Sequence, residues 1–235
     1  MNSNKTSLYA FGILLLASLT PNFAIAKLSV VTTTPTLAFV AKAIAGEEAD
    51  IEPLLRGTED PHFVDALPSF VLKAANADVL CFVGFDLEIG WLPKVVARSG
   101  NAKVQQGGSG YCDAGSSVEA LDKPKGNIDR SMGDIHSLGN PHYELSPTHL
   151  AQASKAILDA LTNSAPEKAA IFAQNRVTFV AEMNKLEAII TGKLRAAFKA
   201  KEPLVLEYHR EFAYFFATYG FKSIGSIEET PGVPP

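Results

Sequence analysis

Positive charge is in deficit: 21 Lys and Arg face 25 Asp and Glu, a formal net charge of −4. That balance excludes the basic surface by which proteins attract nucleic acid or an anionic membrane. The apolar stretch Leu8 to Leu19 is shorter than the roughly 20 residues that a membrane-spanning helix needs. Gly107-Gly108-Ser109-Gly110 lacks both the Gly-x-Gly-x-x-Gly order and a Gly-Lys-Ser/Thr ending, so it is not a phosphate cradle. No His-Glu-x-x-His motif of a zinc peptidase is present. Cysteine is nearly absent, with Cys81 and Cys112 alone. An oxidising compartment would permit one bridge between them, but Cys81 reads equally as a small buried hydrophobe in an apolar run and Cys112 lies in a glycine-rich loop. Their pairing stays open at the level of sequence, because geometry decides it.

What the chain does have begins with an export signal. Lys5 supplies the positive start, Leu8 to Leu19 the apolar core, and Ala24-Ile25-Ala26 the small residues of a cleavage site. Residues 1–26 therefore read as a signal peptide, with the mature chain starting at Lys27. No cysteine follows the cleavage site to carry a lipid. The expected location is the bacterial periplasm.

The mature chain alternates short β-branched runs with helical patterns, which predicts an α/β fold. Strands are expected at Leu28 to Val31, Ile51 to Leu55 and Ala77 to Val83. Helices are expected at Thr36 to Ala45, Pro68 to Asn76 and Leu87 to Ser99. The continuous apolar strand at 77–83 fits a parallel sheet covered on both faces. Residues 100–139 read as an irregular loop or lid. Ser146-Pro147 then offers a cap and a first-turn proline for a helix running to about Leu161.

From Pro166 to Lys201 the apolar residues Ile171, Phe172, Phe179, Met183, Leu186, Ile190 and Leu194 recur at helical spacing. A helix of that length would reach roughly 50 Å. After it come a strand at Pro203 to Tyr208, an aromatic-rich helix at Arg210 to Tyr219 and a strand at Lys222 to Ile227. The expected organisation is an N-terminal lobe over 27–163, a long linking helix over 164–201 and the start of a second, incomplete lobe over 202–235.

Histidine is scarce too, at five residues. Three stand at strand ends or loops far apart in sequence, in Pro61-His62-Phe63, Pro141-His142-Tyr143 and Tyr208-His209. Neutral imidazole is the commonest protein ligand for zinc and its neighbours, and three of them with a carboxylate or water complete a tetrahedron. His62, His142 and His209 are therefore the candidate metal ligands. The alternative for each is a solvated or hydrogen-bonded loop residue. His136 and His149 are weaker candidates, His149 being in the first turn of a capped helix. Asp60, Asp134, Glu144 and Glu207 are near enough in sequence for one to orient an imidazole, most being expected in solvent. Phe63, Tyr143, Phe212 and Tyr214 would wall the site from water, the alternative for each being plain core, where aromatics near helix starts more often lie.

Several segments taken in order resemble a known family. Asp60-Pro61-His62-Phe63, Asn76-Ala77-Asp78-Val79, Gly84 through Glu88 to Trp91-Leu92, Asn140-Pro141-His142-Tyr143, Tyr208-His209 and Glu229-Thr230-Pro231-Gly232-Val233-Pro234-Pro235 look like the zinc and manganese solute-binding proteins of bacterial ABC importers. The resemblance covers nearly the whole mature chain. It implies two α/β lobes joined by a long rigid helix, with a metal held between them and delivered to a membrane permease. The long helix would resist hinge motion, so small, local movement on loading is expected, and the protein is expected to be a monomer. Residue by residue, His62, His142 and His209 match the family's histidine ligands. The family's fourth ligand, an Asp or Glu beyond the Pro-Gly-x-Pro-Pro segment, is not in this sequence, so a C-terminally truncated member is expected.

Zinc is the expected metal, with manganese second, because nitrogen donors suit zinc. The protein is then not an enzyme. A zinc-dependent hydrolase with an open fourth position, Glu144 or Glu207 serving as base, is the competing reading, and a metal-binding adhesin or storage protein is a third.

Overall fold

The computed structural model describes residues 26–124, 136–199 and 201–228. The expected signal peptide apart from Ala26, Asp134 and the Glu229 to Pro235 segment lie outside them.

A four-stranded parallel sheet organises the first part of the chain, in the order β2-β1-β3-β4. β1 spans Leu28–Thr32, β2 Ala49–Pro53, β3 Val79–Phe82 and β4 Tyr111–Asp113. Alternating side chains divide the core as strand geometry requires. Val30, Val79 and Cys81 face one layer, where they pack with Leu37, Val40 and Ile44 of α1 (Pro35–Ala45) and Ile157 and Leu161 of α4 (Pro147–Ser164). Val31 and Leu80 face the other, against Phe70 of α2 (Pro68–Asn76) and Trp91, Leu92 and Val95 at α3 (Leu92–Ser99). Large side chains sealed in this way stabilise by about 1.5–3 kcal/mol each, which fixes the layers against the sheet.

β4 corrects the reading of 100–139 as wholly irregular. The strand is only three residues long and follows a glycine run, so it has too little pattern to be seen. It forms because Leu80 N–H donates to the Gly110 carbonyl at 2.9 Å and Tyr111 to Asp113 register with Leu80 to Phe82. Gly110 explains the glycines: a Cβ there would lie 1.8 Å from the Asp78 carbonyl oxygen, so only glycine lets the strands meet. The pairing sets Cys81 opposite Cys112 with Cα atoms 4.4 Å apart, and the two are joined by a disulfide.

The long helix α5 spans Ala169–Phe198. Phe172, Phe179 and Met183 bury its first half in the core, while Leu186 and Ile189 further along are 42% and 46% exposed. At about 1.5 Å per residue it is roughly 45 Å long, so it extends past the first sheet. Beyond it, β5 (Leu204–Glu207), α6 (Ala213–Tyr219) and β6 (Lys222–Ser226) form a two-stranded parallel β-α-β unit. Leu204, Leu206 and Ile224 remain 56–61% exposed on it. No helix among the described residues is long and apolar enough to cross a membrane.

The cap expected at Ser146 is not made by its side chain. Pro147 does open α4, but the Ser146 hydroxyl pairs with Thr218 Oγ1 at 2.9 Å and His149 Nδ1 at 2.8 Å instead. The α4 start is thereby tied to α6.

Candidate metal centre

His62 sits in the loop after β2, which is anchored from below by Trp91 Nε1 donating to the Pro61 carbonyl at 2.8 Å. Asp60 shapes the turn. Its Oδ1 accepts the His62 backbone N–H at 3.0 Å and lies 2.7 Å from the ring Nδ1. A carboxylate on Nδ1 fixes that nitrogen as N–H and leaves the Nε2 lone pair for the site. Burial pushes Asp60 upward in pKa, but hydrogen bonds from the His62 backbone and ring, with the nearby His charges, outweigh it and hold the carboxyl below its usual value.

His142 follows a second such turn, in which Asn140 Oδ1 accepts the His142 N–H at 2.9 Å. Its neighbour Tyr143 is fully buried and donates its hydroxyl to the Val83 carbonyl at 3.0 Å, holding the segment to the end of β3. His142 Nε2 is buried with no hydrogen-bond partner among the described residues. Burial first, then the neighbouring His62, His209 and His136, push its pKa down to about 3, so the ring is a neutral donor at ordinary pH.

His209 lies just past β5. Its Nδ1 is 2.9 Å from Glu228 Oε2, just past β6, so the same orienting device recurs. Parallel pairing of β5 with β6 sets these two strand ends side by side.

The four rings come together. His62 is the hub, with ring centroids 5.1 Å from His136, 5.4 Å from His142 and 5.7 Å from His209, and His142 to His209 is 5.4 Å. The tightest donor set is His62, His136 and His142, whose ligand atoms lie within 4.8 Å of one another. His62 Nε2 and His136 Nε2 are 3.1 Å apart. Two nitrogens at about 2.0–2.1 Å from one tetrahedral zinc would stand roughly 3.3 Å apart.

The other named residues are distributed differently. His149 is a structural residue, half-buried and edge-on to Tyr214 with centroids at 4.7 Å. Most of the carboxylates near the histidines are expected in solvent, but Glu144 and Glu207 are not there. Glu144 accepts from Thr34 Oγ1 at 3.0 Å, with burial raising its pKa to about 7, and Glu207 is buried and accepts from Ser223 Oγ at 2.8 Å. Each is engaged away from the imidazoles. Tyr143 and Tyr214 are fully buried core residues, whereas Phe63 is 63% exposed and walls nothing off. Sequence reasoning missed Glu228, whose signal was its place at the end of a strand paired with the one before His209.

Two α/β sheets with a long helix between the segments that form them, and imidazoles gathered from both, define a solute-binding-protein fold with a histidine centre. The chain belongs to the family described as "ZnuA: Zinc-uptake complex component A periplasmic", which matches residues 30–235. That family is a transport component and not an enzyme class.

Among curated proteins the chain is similar to the zinc-binding lipoprotein AdcA of Streptococcus pneumoniae serotype 4, at 26% identity over 234 residues, covering 94% of this chain and 45% of AdcA. It is also similar to the iron ABC transporter substrate-binding lipoprotein MtsA of Streptococcus pyogenes serotype M1, at 28% over 200 residues, covering 84% of this chain and 61% of MtsA. The chain thus spans about half the length of the curated relatives it matches. Among solved structures it shares its fold with ZnuA (TM-score 0.68, 20% identity, 85% of this chain and 70% of that one). It shares it likewise with the periplasmic zinc-binding protein TroA of Treponema pallidum (TM-score 0.67, 22% identity, 85% and 66%).

Proposed function

We propose that this protein captures a divalent transition metal outside the cytoplasm, zinc in preference to manganese, and passes it to the permease of an ABC importer. His62, His142 and His209 are the ligands on this reading, with residues 27–163 as the first lobe, 164–201 as the link and 202–235 as the second. The observation that carries it is the convergence of three imidazoles, two of them with Nδ1 already engaged by a carboxylate. Asp60 and Glu228 occupy Nδ1 of His62 and His209, and the buried His142 Nε2 has no partner among the described residues. Nitrogen-rich sites favour zinc over manganese, which prefers oxygen. The relatives' names supply the context: AdcA is called zinc-binding and MtsA an ABC transporter substrate-binding lipoprotein. The protein acts as a monomer in the periplasm, carries metal as cargo and catalyses nothing.

Zinc titration of the purified protein against a chromogenic chelator tests the reading. One equivalent binds, and His62→Ala, His142→Ala and His209→Ala each weaken it by several kcal/mol out of a total of about 10–16. Unchanged binding after all three substitutions would sink the proposal.

A further inference from the structure

We infer that His136 is a further metal ligand, held over the site by a latch between Ser137 and Asp86; the inference rests on the metal-binding reading above. The first observation is the facing pair of Nε2 atoms of His62 and His136 at 3.1 Å. Because Asp60 engages Nδ1 of His62, its Nε2 presents a lone pair toward His136. A proton between the two rings would satisfy that pair alone. It would leave the third nitrogen, the buried and unpartnered Nε2 of His142, with nothing. One cation drawn in between them would satisfy all three rings, each of which offers a nitrogen within 4.8 Å of one from each of the others.

The second observation is how His136 is put there. The chain after β3 runs through three consecutive residues with left-handed backbone, Gly84 at φ 85°, Phe85 at 52° and Asp86 at 66°. The last two are not glycine, a strained choice of the kind that persists where surrounding structure enforces it and concentrates at functional sites. Glu88 enforces it here, accepting the Gly84 N–H at 3.2 Å and the Val83 N–H at 2.8 Å, while Leu87 N–H closes on the Gly84 carbonyl at 3.0 Å. The turn aims the Asp86 carboxylate at Ser137, whose hydroxyl donates to Oδ2 at 2.5 Å.

Ser137 belongs to a second tight turn, closed by Gly139 N–H donating to the His136 carbonyl at 3.2 Å. Asn140, next in the chain, is fixed by donation of its N–H to the Leu121 carbonyl at 2.9 Å. The imidazole of His136 is therefore constrained from two sides, by the Asp86 latch and by the segment that also carries His142. Asp86 is a positioning residue, and His136 touches the ion. The result is one ion held by imidazoles from two loops of the first sheet, with His209 approaching from the second.

The test uses zinc for affinity and cobalt(II) for the visible spectrum, which reports the number and kind of donors. His136→Ala and the near-isosteric His136→Gln are compared with Ser137→Ala, Asp86→Gly and Asp86→Asn, melting each variant to register folding. Gly and Asn both accept the left-handed backbone at 86, but only Asn keeps an oxygen for Ser137. Both His136 variants should weaken zinc by at least about tenfold and alter the cobalt spectrum, with Ser137→Ala and Asp86→Gly weakening it by about tenfold and Asp86→Asn restoring it. If both His136 variants bind as tightly as wild type with an unchanged spectrum while His142→Ala loses zinc, the inference falls and the metal-binding reading stands. If Asp86→Gly matches wild type, the latch falls. If wild type takes up no zinc, or His142→Ala binds as well as wild type, the reading itself falls and takes the inference with it.

Discussion

Tyr214 is fully buried and its hydroxyl donates to the carbonyl of Asn140 at 2.9 Å, so α6 is bonded directly to the segment that carries His142. The contact is reciprocal, because Asn140 Nδ2 donates to the Arg210 carbonyl at 2.7 Å, one residue beyond His209. Two histidines from opposite ends of the fold are thus held in register by groups that touch neither ring. Leu121 N–H also donates to the Tyr214 hydroxyl, at 3.2 Å.

Tyr214→Phe should therefore act at a distance. It removes the hydroxyl and leaves a buried carbonyl and a part-buried N–H without that partner, at a cost of about 1–3 kcal/mol. Urea melts should report that loss, and zinc affinity should fall with it. Unchanged affinity would mean that the β5-α6-β6 unit does not depend on this contact for its placement.

Asp60→Ala and Glu228→Ala remove the carboxylates on Nδ1 of His62 and His209. Each should weaken zinc about 10–100-fold by freeing the tautomer and the ring orientation. Asp60→Asn, which keeps an acceptor oxygen, should lose less than Asp60→Ala. Chelator competition measures all three.

Glu88 is expected to make the stability of the metal-free fold pH-dependent. It is buried, accepts from Thr33 Oγ1 at 2.6 Å, and burial raises its pKa from 4.5 to about 7 despite that bond. A carboxyl whose folded pKa is raised contributes stability that is whole below pH 4.5 and is lost as pH climbs through 7. The loss is on the order of 3 kcal/mol. Denaturant midpoints taken between pH 5 and pH 8 should fall in wild type and fall less in Glu88→Gln; parallel slopes would refute the assignment.

The Cys81–Cys112 bridge closes a loop of sequence separation 31 across neighbouring parallel strands. Chain-entropy reasoning gives it about 3–4 kcal/mol of stabilisation. The double variant Cys81→Ala, Cys112→Ala should melt correspondingly lower, and added reductant should shift wild type but leave the variant where it is.

Gly110→Ala should be among the most damaging small substitutions, because a methyl group would overlap the Asp78 carbonyl oxygen and separate β3 from β4. A loss above about 2 kcal/mol is expected from displaced backbone and core. Gly100→Ala is the control, since nothing lies within 4 Å of a Cβ there. Its effect should be confined to the left-handed backbone at φ 64°.

Much of the fold was legible because local pattern reports local structure. α2 begins and ends where Pro68 and Asn76 suggest, and the long amphipathic run after Pro166 is a single helix over Ala169–Phe198. The helix expected from Leu87 starts instead at Leu92, because Gly84 to Asp86 enter the left-handed region and Glu88 turns back to accept the Val83 and Gly84 N–H groups. β4 was illegible for a different reason: three residues carry no periodicity, and only the neighbouring strand makes Tyr111 to Asp113 extended.

Sequence alone determined most of the helices and strands, though not β4 or the start of α3, that three imidazoles stand in loops at strand ends, and which family pattern they follow. Tertiary structure decided which groups meet. His136 and Glu228 join the centre through a Ser137–Asp86 contact 51 residues apart and a parallel pairing of β5 with β6. The physical reason is that a loop's own residues set its turns, whereas its direction is set by whatever buried anchors hold its ends. Here those anchors are Trp91, Tyr143 and Tyr214, each bonded to the backbone of a segment distant in sequence.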